Sequence, residues 1–240
     1  MKDKQLPTLA TLIVLLCLSL KVSYTQAQTK LVFSTIENSV NAKVSSIVMV
    51  QAYKRIGVEI NIIPLPAKRS LIEANAGKFD GELFRLKGMN KNLPNLIPLS
   101  IPINYLEGVV ITKNLNFEID GWKSLRPFEI GIRRGIRFSE NGTFGMNRQI
   151  VNSNKILFNM LEHGRLDVIV VTRSNGLNGM KALNYSHLNI LEPSIEVYPL
   201  FHYLHVKNEA MIPKIESVLR RMQHEGLLQK IRRQVLEELQ

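Results

Sequence analysis

Arginines are the residues of this 240-residue chain whose types and positions most strongly suggest chemistry. Arg85 follows the acidic segment Asp80-Gly81-Glu82 at a predicted strand end, and Arg69 lies at the start of a predicted helix. A guanidinium can bind a carboxylate or phosphate through two parallel hydrogen bonds, and a helix N-terminus favours an anion. Both arginines are therefore candidate anion ligands. The alternatives are a salt bridge from Arg85 to Glu82 or Asp80, and a solvated surface charge for Arg69.

A second group of arginines flanks Gly135, a residue that permits close approach to the backbone. Arg133 and Arg134 precede it and Arg137 follows it. Side chains alternate along a strand, so Arg133 and Arg134 should point to opposite faces. We select Arg134 and Arg137 as candidate ligands in a turn that could hold an anion. The alternative is that each is a solvated loop charge.

Two further side chains are candidates, one for its charge and one for its aromatic ring. Glu37 comes just after the first strand and could meet a cationic group of a ligand, although loop carboxylates are usually solvated. Tyr105 could stack on a ligand. Phe84 could do the same, but core packing is the favoured interpretation for it.

Catalytic and metal motifs are absent from the sequence. It contains neither a Gly-x-Ser-x-Gly segment nor a phosphate-binding loop, and its single cysteine, Cys17, lies in the N-terminal segment. His202 and His205 are three apart in an extended segment and should point to opposite faces, which disfavours a metal pair. We therefore predict no cofactor, no metal and no enzyme activity. An acid–base pair of Asp80 and Glu82 on one strand face stays open.

The N-terminal segment predicts export. Lys2 and Lys4 precede a short apolar run, and a polar stretch then ends at Ala27, which is the order of a secretory signal peptide. Cys17 is preceded by two leucines rather than small residues, which disfavours a lipid anchor. We predict a signal peptide over residues 1–27, cleavage after Ala27 and a periplasmic location. An uncleaved membrane anchor is the alternative.

The charge of the chain is strongly positive, at +11. Residues 1–27 hold three lysines and one aspartate, so the predicted mature chain keeps about +9. Export removes nucleic acid as a partner. An anionic ligand, an anionic membrane face and simple solubility remain as explanations.

The element pattern alternates between strands and helices, which predicts an α/β fold with mostly parallel sheets. Predicted strands cover 30–34, 58–63, 79–84, 108–112, 128–132, 166–171 and 187–191, with an extended segment over 195–206. Helices are predicted over 44–55, 66–76, 154–163, 175–183 and 212–239. A second set of strand and helix units follows the first, and the chain then returns to the first lobe. We therefore predict two lobes joined by two crossings. The first lobe covers 28–110, the second 111–194, and the return 195–240.

Several of these segments together resemble the bacterial extracellular solute-binding protein family 3. In the first lobe they are Gly57-Val58-Glu59-Ile60 and Ala76-Gly77-Lys78-Phe79-Asp80. In the second they are Ile130-Gly131-Ile132 and Gly164-Arg165-Leu166-Asp167. The resemblance spans nearly the whole predicted mature chain in the family's order. It implies a type II periplasmic binding fold that captures a small solute reversibly.

The chain departs from the family where amino-acid-binding members hold their ligand. The Thr-x-x-Arg segment is missing, and Arg85 lies several residues early. The aspartate that binds a ligand ammonium is matched by Thr172, which we include among the candidate site residues. These departures imply either a divergent ligand or a receptor role with no ligand.

We therefore predict a monomeric binding protein that delivers an anionic or zwitterionic small molecule, such as a carboxylate, to an ABC permease. A sensing or accessory module acting on a membrane protein is the first alternative. A dehydratase-like enzyme of this fold is the second.

Overall fold

The computed structural model describes residues 30–37, 39–89 and 92–238. The predicted signal peptide, with Cys17, lies outside the described residues and stays a prediction. Within the described ranges, no helix combines the length and the apolar content that crossing a membrane requires.

Eight strands are described, and together they form a single sheet. In chain order they are β1 (Lys30–Ile36), β2 (Glu59–Leu65), β3 (Gly81–Leu86), β4 (Leu96–Thr112), β5 (Ile130–Arg133), β6 (Arg148–Val151), β7 (Val168–Thr172) and β8 (Asn189–His205). Their spatial order is β2-β1-β3-β8-β4-β7-β5-β6. Strands β1, β2 and β3 are parallel to one another, as are β5, β6 and β7.

Seven α-helices are described alongside the sheet. They are α1 (Val40–Lys54), α2 (Ala67–Asn75), α3 (Arg137–Gly142), α4 (Asn154–Glu162), α5 (Arg173–Leu183), α6 (Ile212–His224) and α7 (Leu227–Glu237). Two 3₁₀ helices cover Trp122–Leu125 and Val206–Met211. Ser39 caps α1 and Ser153 caps α4, each accepting a hydrogen bond from a backbone N–H in the first turn.

The apolar core is divided between two lobes. The largest cluster joins β1 and β3 to α1, α6 and α7, and includes the fully buried Phe33, Met49 and Tyr53. Two other clusters lie on opposite faces of β7, one around Phe158 and one around Ile132. The 17-residue strands β4 and β8 run through both lobes as a pair. This arrangement confirms the predicted α/β class with two lobes and two crossings.

The crossing strands also account for the main differences from the sequence prediction. Strand β4 includes residues 96–106, which no predicted element covered, and β8 joins two segments predicted separately. Both are antiparallel to neighbouring strands, so the sheet as a whole is mixed, while the strand set within each lobe is parallel as predicted. Helix α3 and strand β6 were not predicted. The predicted C-terminal helix divides at Gly226, whose φ of 68° is left-handed.

The strand register fixes where the lobes face each other. In the second lobe, Thr172 at the carboxyl end of β7 pairs with Gly108 of β4. In the first lobe, Leu86 at the carboxyl end of β3 pairs with Leu200, which also pairs with Asn104. Both parallel sets therefore end at the crossing. We call the carboxyl ends of β1–β3 the first edge and those of β5–β7 the second edge.

Candidate functional site

Arg85 and Glu82 form a buried pair at the first edge. Glu82 is opposite Tyr203 of β8 and Arg85 is opposite Phe201, so β3 holds one extra residue between them. This β-bulge places residues three apart on one face of the strand. Arg85 Nη2 lies 2.8 Å from Glu82 Oε1 and donates to the Ala67 carbonyl at 2.7 Å. The structure thus contains the salt bridge that was the alternative interpretation of Arg85.

Two hydroxyls complete the surroundings of Glu82. Its Oε2 accepts a hydrogen bond from Ser34 Oγ at 2.6 Å and another from Ser70 Oγ. Burial raises the pKa of the fully buried Glu82 carboxyl above its ordinary value, against the opposing effects of Arg85 and the hydroxyls. Burial likewise lowers the pKa of Arg85, which is 7% exposed. The Arg85–Glu82 pair is therefore a structural part of the first lobe and lies at the first edge.

The other first-edge candidates are exposed. Glu37 borders a groove of about 570 Å³ that Thr35 and Ser39 also line. Arg69, in the first turn of α2, donates from Nε to Glu73 Oε1 at 2.8 Å, so its charge is partly neutralised within the helix. Arg69 and Arg85 belong to the same edge, because Arg85 bonds the carbonyl of Ala67 two residues before Arg69.

At the second edge, arginines without carboxylate partners gather around Gly135. Arg134 Nε donates to the amide oxygen of Asn152 at 3.0 Å, and no ion pair of Arg134 or Arg137 exists among the described residues. Both side chains are exposed. The Gly135 N–H donates to Glu140 Oε1 at 2.7 Å. The turn itself therefore already holds a carboxylate of the chain.

Thr172 caps helix α5 at the same edge. Its hydroxyl accepts from the Asn175 N–H and lies 3.3 Å from Ser174 Oγ. The neighbouring Arg173 donates to Glu107 and to both Glu192 and Ser194. Thr172 therefore has a local structural role, and the charge beside it is already paired.

Tyr105 lies on the crossing strand β4, beside the C-terminal helices. It lines a small pocket with Gln223, Leu228 and Arg232. Its carbonyl accepts from Arg232 Nη1 at 3.0 Å. The seven candidates are thus divided: Arg69, Arg85 and Glu37 at the first edge, Arg134, Arg137 and Thr172 at the second, and Tyr105 between them at the crossing.

Asp80 and Glu82 have separate sets of partners. Asp80 Oδ2 accepts from the Val32 N–H at 2.7 Å, and Oδ1 lies 3.1 Å from Lys207 Nζ. Glu82 faces Ser34, Ser70 and Arg85 instead. Among the described residues, no three His, Cys, Asp or Glu side chains are grouped so that they could hold a metal ion.

Sequence reasoning missed Glu107 and Arg232. Arg232 Nη2 lies 3.0 Å from Glu107 Oε1, and Arg173 donates to the other oxygen of the same carboxylate. Burial alone would raise the pKa of Glu107, but the two guanidiniums outweigh it and hold that pKa below its ordinary value. No local motif marks these residues, because their partners are distant in the chain.

Comparison with known proteins places the fold among binding proteins. No protein-family model matches the chain. It is 23% identical over 206 residues to an uncharacterized protein of Shewanella oneidensis, which covers 82% of this chain and 78% of the relative.

Among solved structures, the chain is similar to the L-cystine solute receptor of Neisseria gonorrhoeae in its unliganded open conformation. The TM-score is 0.68 at 13% identity, over 88% of this chain and 94% of the receptor. An ancestral arginine-binding protein bound to glutamine gives 0.57 at 16% identity, over 85% and 96%. A histidine kinase sensor domain with similarity to periplasmic binding proteins gives 0.61 at 12% identity, over 87% and 96%. The fold of this chain is therefore that of the type II periplasmic solute-binding proteins, in agreement with the resemblance seen in its sequence.

Proposed function

We propose that this protein is an exported solute-binding protein that captures a small anionic or zwitterionic molecule between its lobes for an ABC importer. The observation that carries this proposal is the group of arginines at the second edge. Arg133, Arg134 and Arg137 have no carboxylate partner among the described residues. Guanidiniums without an ion-pair partner at the edge that faces the other lobe favour a carboxylate or phosphate as ligand.

The first edge supports the same ligand class in a weaker way. Lys68 in the first turn of α2 is exposed and has no ion pair among the described residues. Glu37 is available for a cationic group, so a zwitterion fits as well as a simple acid.

A thermal-shift screen tests the ligand class. The purified periplasmic protein would be heated with L-glutamate, succinate, citrate, glucose 6-phosphate, glucose and spermidine. A ligand at about 100 times its dissociation constant stabilises the folded state by roughly 2.7 kcal/mol. We expect stabilisation by at least one anion and none by glucose or spermidine. Stabilisation by the neutral or cationic compounds alone would overturn the proposed ligand class.

Paired variants locate the site. For the anion with the largest shift, we expect Arg134→Gln with Arg137→Gln to weaken binding about tenfold or more, since charge-assisted hydrogen bonds are lost. Arg165→Gln is the matched control, because Arg165 is an exposed second-lobe arginine before the amino end of β7. Equal affinities for both variants would remove the second-edge arginines from the site. Recovery of the anion unchanged after incubation would support binding rather than catalysis.

A further inference from the structure

A chain of polar contacts joins the two lobes through the C-terminal helix. Arg232 of α7 and Arg173 of α5 bond opposite oxygens of the Glu107 carboxylate on the crossing strand β4. Helix α7 packs on the first-lobe core through Leu228, Ile231 and Val235, whereas α5 belongs to the second lobe. Glu107 is therefore bound from both lobes at once.

Each end of this connection is fixed to its own lobe. Arg232 Nη1 also donates to Asn104 Oδ1 at 2.9 Å and to the Tyr105 carbonyl at 3.0 Å. Arg173 Nη1 lies 2.8 Å from Glu192 Oε1, and Nη2 donates to Ser194 Oγ at 3.0 Å. Neither guanidinium can turn freely towards another partner.

A second contact lies at the end of the same helix. Lys181 of α5 donates to the Glu238 carbonyl at 3.2 Å, and the Glu238 carboxylate pairs with Lys43 of α1. The last turn after α7 is thus held between the two lobes. Across the facing edges, in contrast, no hydrogen bond or ion pair joins described residues of 39–89 to residues 113–187.

We propose that the Arg232–Glu107–Arg173 contact is an interlobe brace that stabilises the ligand-free, separated arrangement of the lobes and so sets binding affinity from outside the cleft. Charge-assisted hydrogen bonds are short and weaken within a few tenths of an ångström. Rotation of the lobes about β4 and β8 changes the spacing of the two guanidiniums around one carboxylate. The inference rests on the proposed function, because the brace matters to affinity only if the lobes close on a ligand.

Spin-label distances measured without any ligand test the brace. Lys68→Cys and Lys155→Cys place labels on exposed residues near the first and second edges. Cys17, the single native cysteine of the sequence, is replaced by serine so that only the two introduced cysteines are labelled. Closure brings the two edges together and shortens the distance. In this background we compare Arg232→Met, which removes the first-lobe end, and Glu107→Gln, which removes the shared charge while keeping its size.

We expect both variants to raise the ratio of short to long distances by about tenfold, the effect of losing one charge-assisted hydrogen bond. Arg55→Gln is the matched control, because the Arg55–Glu225 pair joins two elements of the first lobe only. Distances that match the control, or that lengthen, would overturn the brace. If Glu107→Gln fails to fold, the distances of Arg232→Met alone test the brace, because Glu107 is still paired with Arg173 in that variant. If no anion stabilises the protein but both variants shorten the spin-label distance, the proposed function is refuted and the interlobe brace is still supported.

Discussion

Acidification should destabilise this protein through one buried histidine. His202 is fully buried in the first-lobe core, next to Phe33 and Tyr53. Its Nδ1 lies 3.0 Å from the Leu83 carbonyl and must donate there, because a carbonyl only accepts. Its Nε2 then accepts from the Tyr53 hydroxyl at 3.0 Å. The neutral ring satisfies both contacts, and protonation would reverse the bond to Tyr53.

The size of the effect follows from proton linkage. Burial lowers the pKa of His202 from 6.5 to about 4, against the raising effect of backbone carbonyls. The unfolded chain therefore binds the extra proton first as the pH falls below 6.5, and stability is lost between that pH and about 4. At pH 5 this one group should lower the free energy of unfolding by about 2 kcal/mol relative to pH 8.

Urea unfolding at pH 8 and pH 5 measures this difference. His202→Gln should be less stable than the native protein at pH 8, and the gap between the two should shrink by about 2 kcal/mol at pH 5. His224→Gln is the matched control, because it makes the same substitution at a histidine that is exposed on α6. An equal gap at both pH values would refute the reasoning that a neutral imidazole is required in the core.

Four further variants at three positions probe local features, all measured by urea unfolding. Glu82→Ala should lower the free energy of unfolding by about 3–5 kcal/mol, because Arg85 is left buried without a counter-charge, and a loss below about 1 kcal/mol would contradict the buried pair. Gly81→Ala should be strongly destabilising, since its Cβ would lie 2.0 Å from the Tyr203 carbonyl oxygen, and an unchanged midpoint would disprove that approach. Asn184→Val should cost about 1–2 kcal/mol at a left-handed φ of 58°, whereas Asn184→Gly should be near neutral, and equal effects would argue against that backbone conformation.

Local patterns in the sequence determined most of the elements and the fold class. The apolar runs of β1 and β7 and the stops at Gly57 and Gly164 could be recognised because strand and helix signals act over a few residues. Their order was enough to predict two lobes. The crossing strands were harder, because β4 and β8 contain prolines, which argue against a long strand, and Pro98 and Pro102 lie where the β4–β8 register shifts.

The candidate site was predicted less completely. Arg134 and Arg137 lie at the second edge, as arginines flanking a strand-end glycine suggested, and whether they bind a ligand stays a prediction. The sequence left either Glu82 or Asp80 as the partner of Arg85. The bulge in β3 places Glu82, not Asp80, beside the guanidinium. A bulge depends on the pairing with β8, which no local pattern in β3 specifies.

The sequence by itself determined the α/β alternation, the positions of several helix ends and the excess of positive charge. Tertiary structure alone decided which charges from distant parts of the chain neutralise one another. Arg232 donates to Asn104, 128 residues away in the sequence, and Arg173 donates to Glu107, 66 residues away. Charges interact through space rather than along the chain, so their pairing is known only when packing has brought distant strands and helices together.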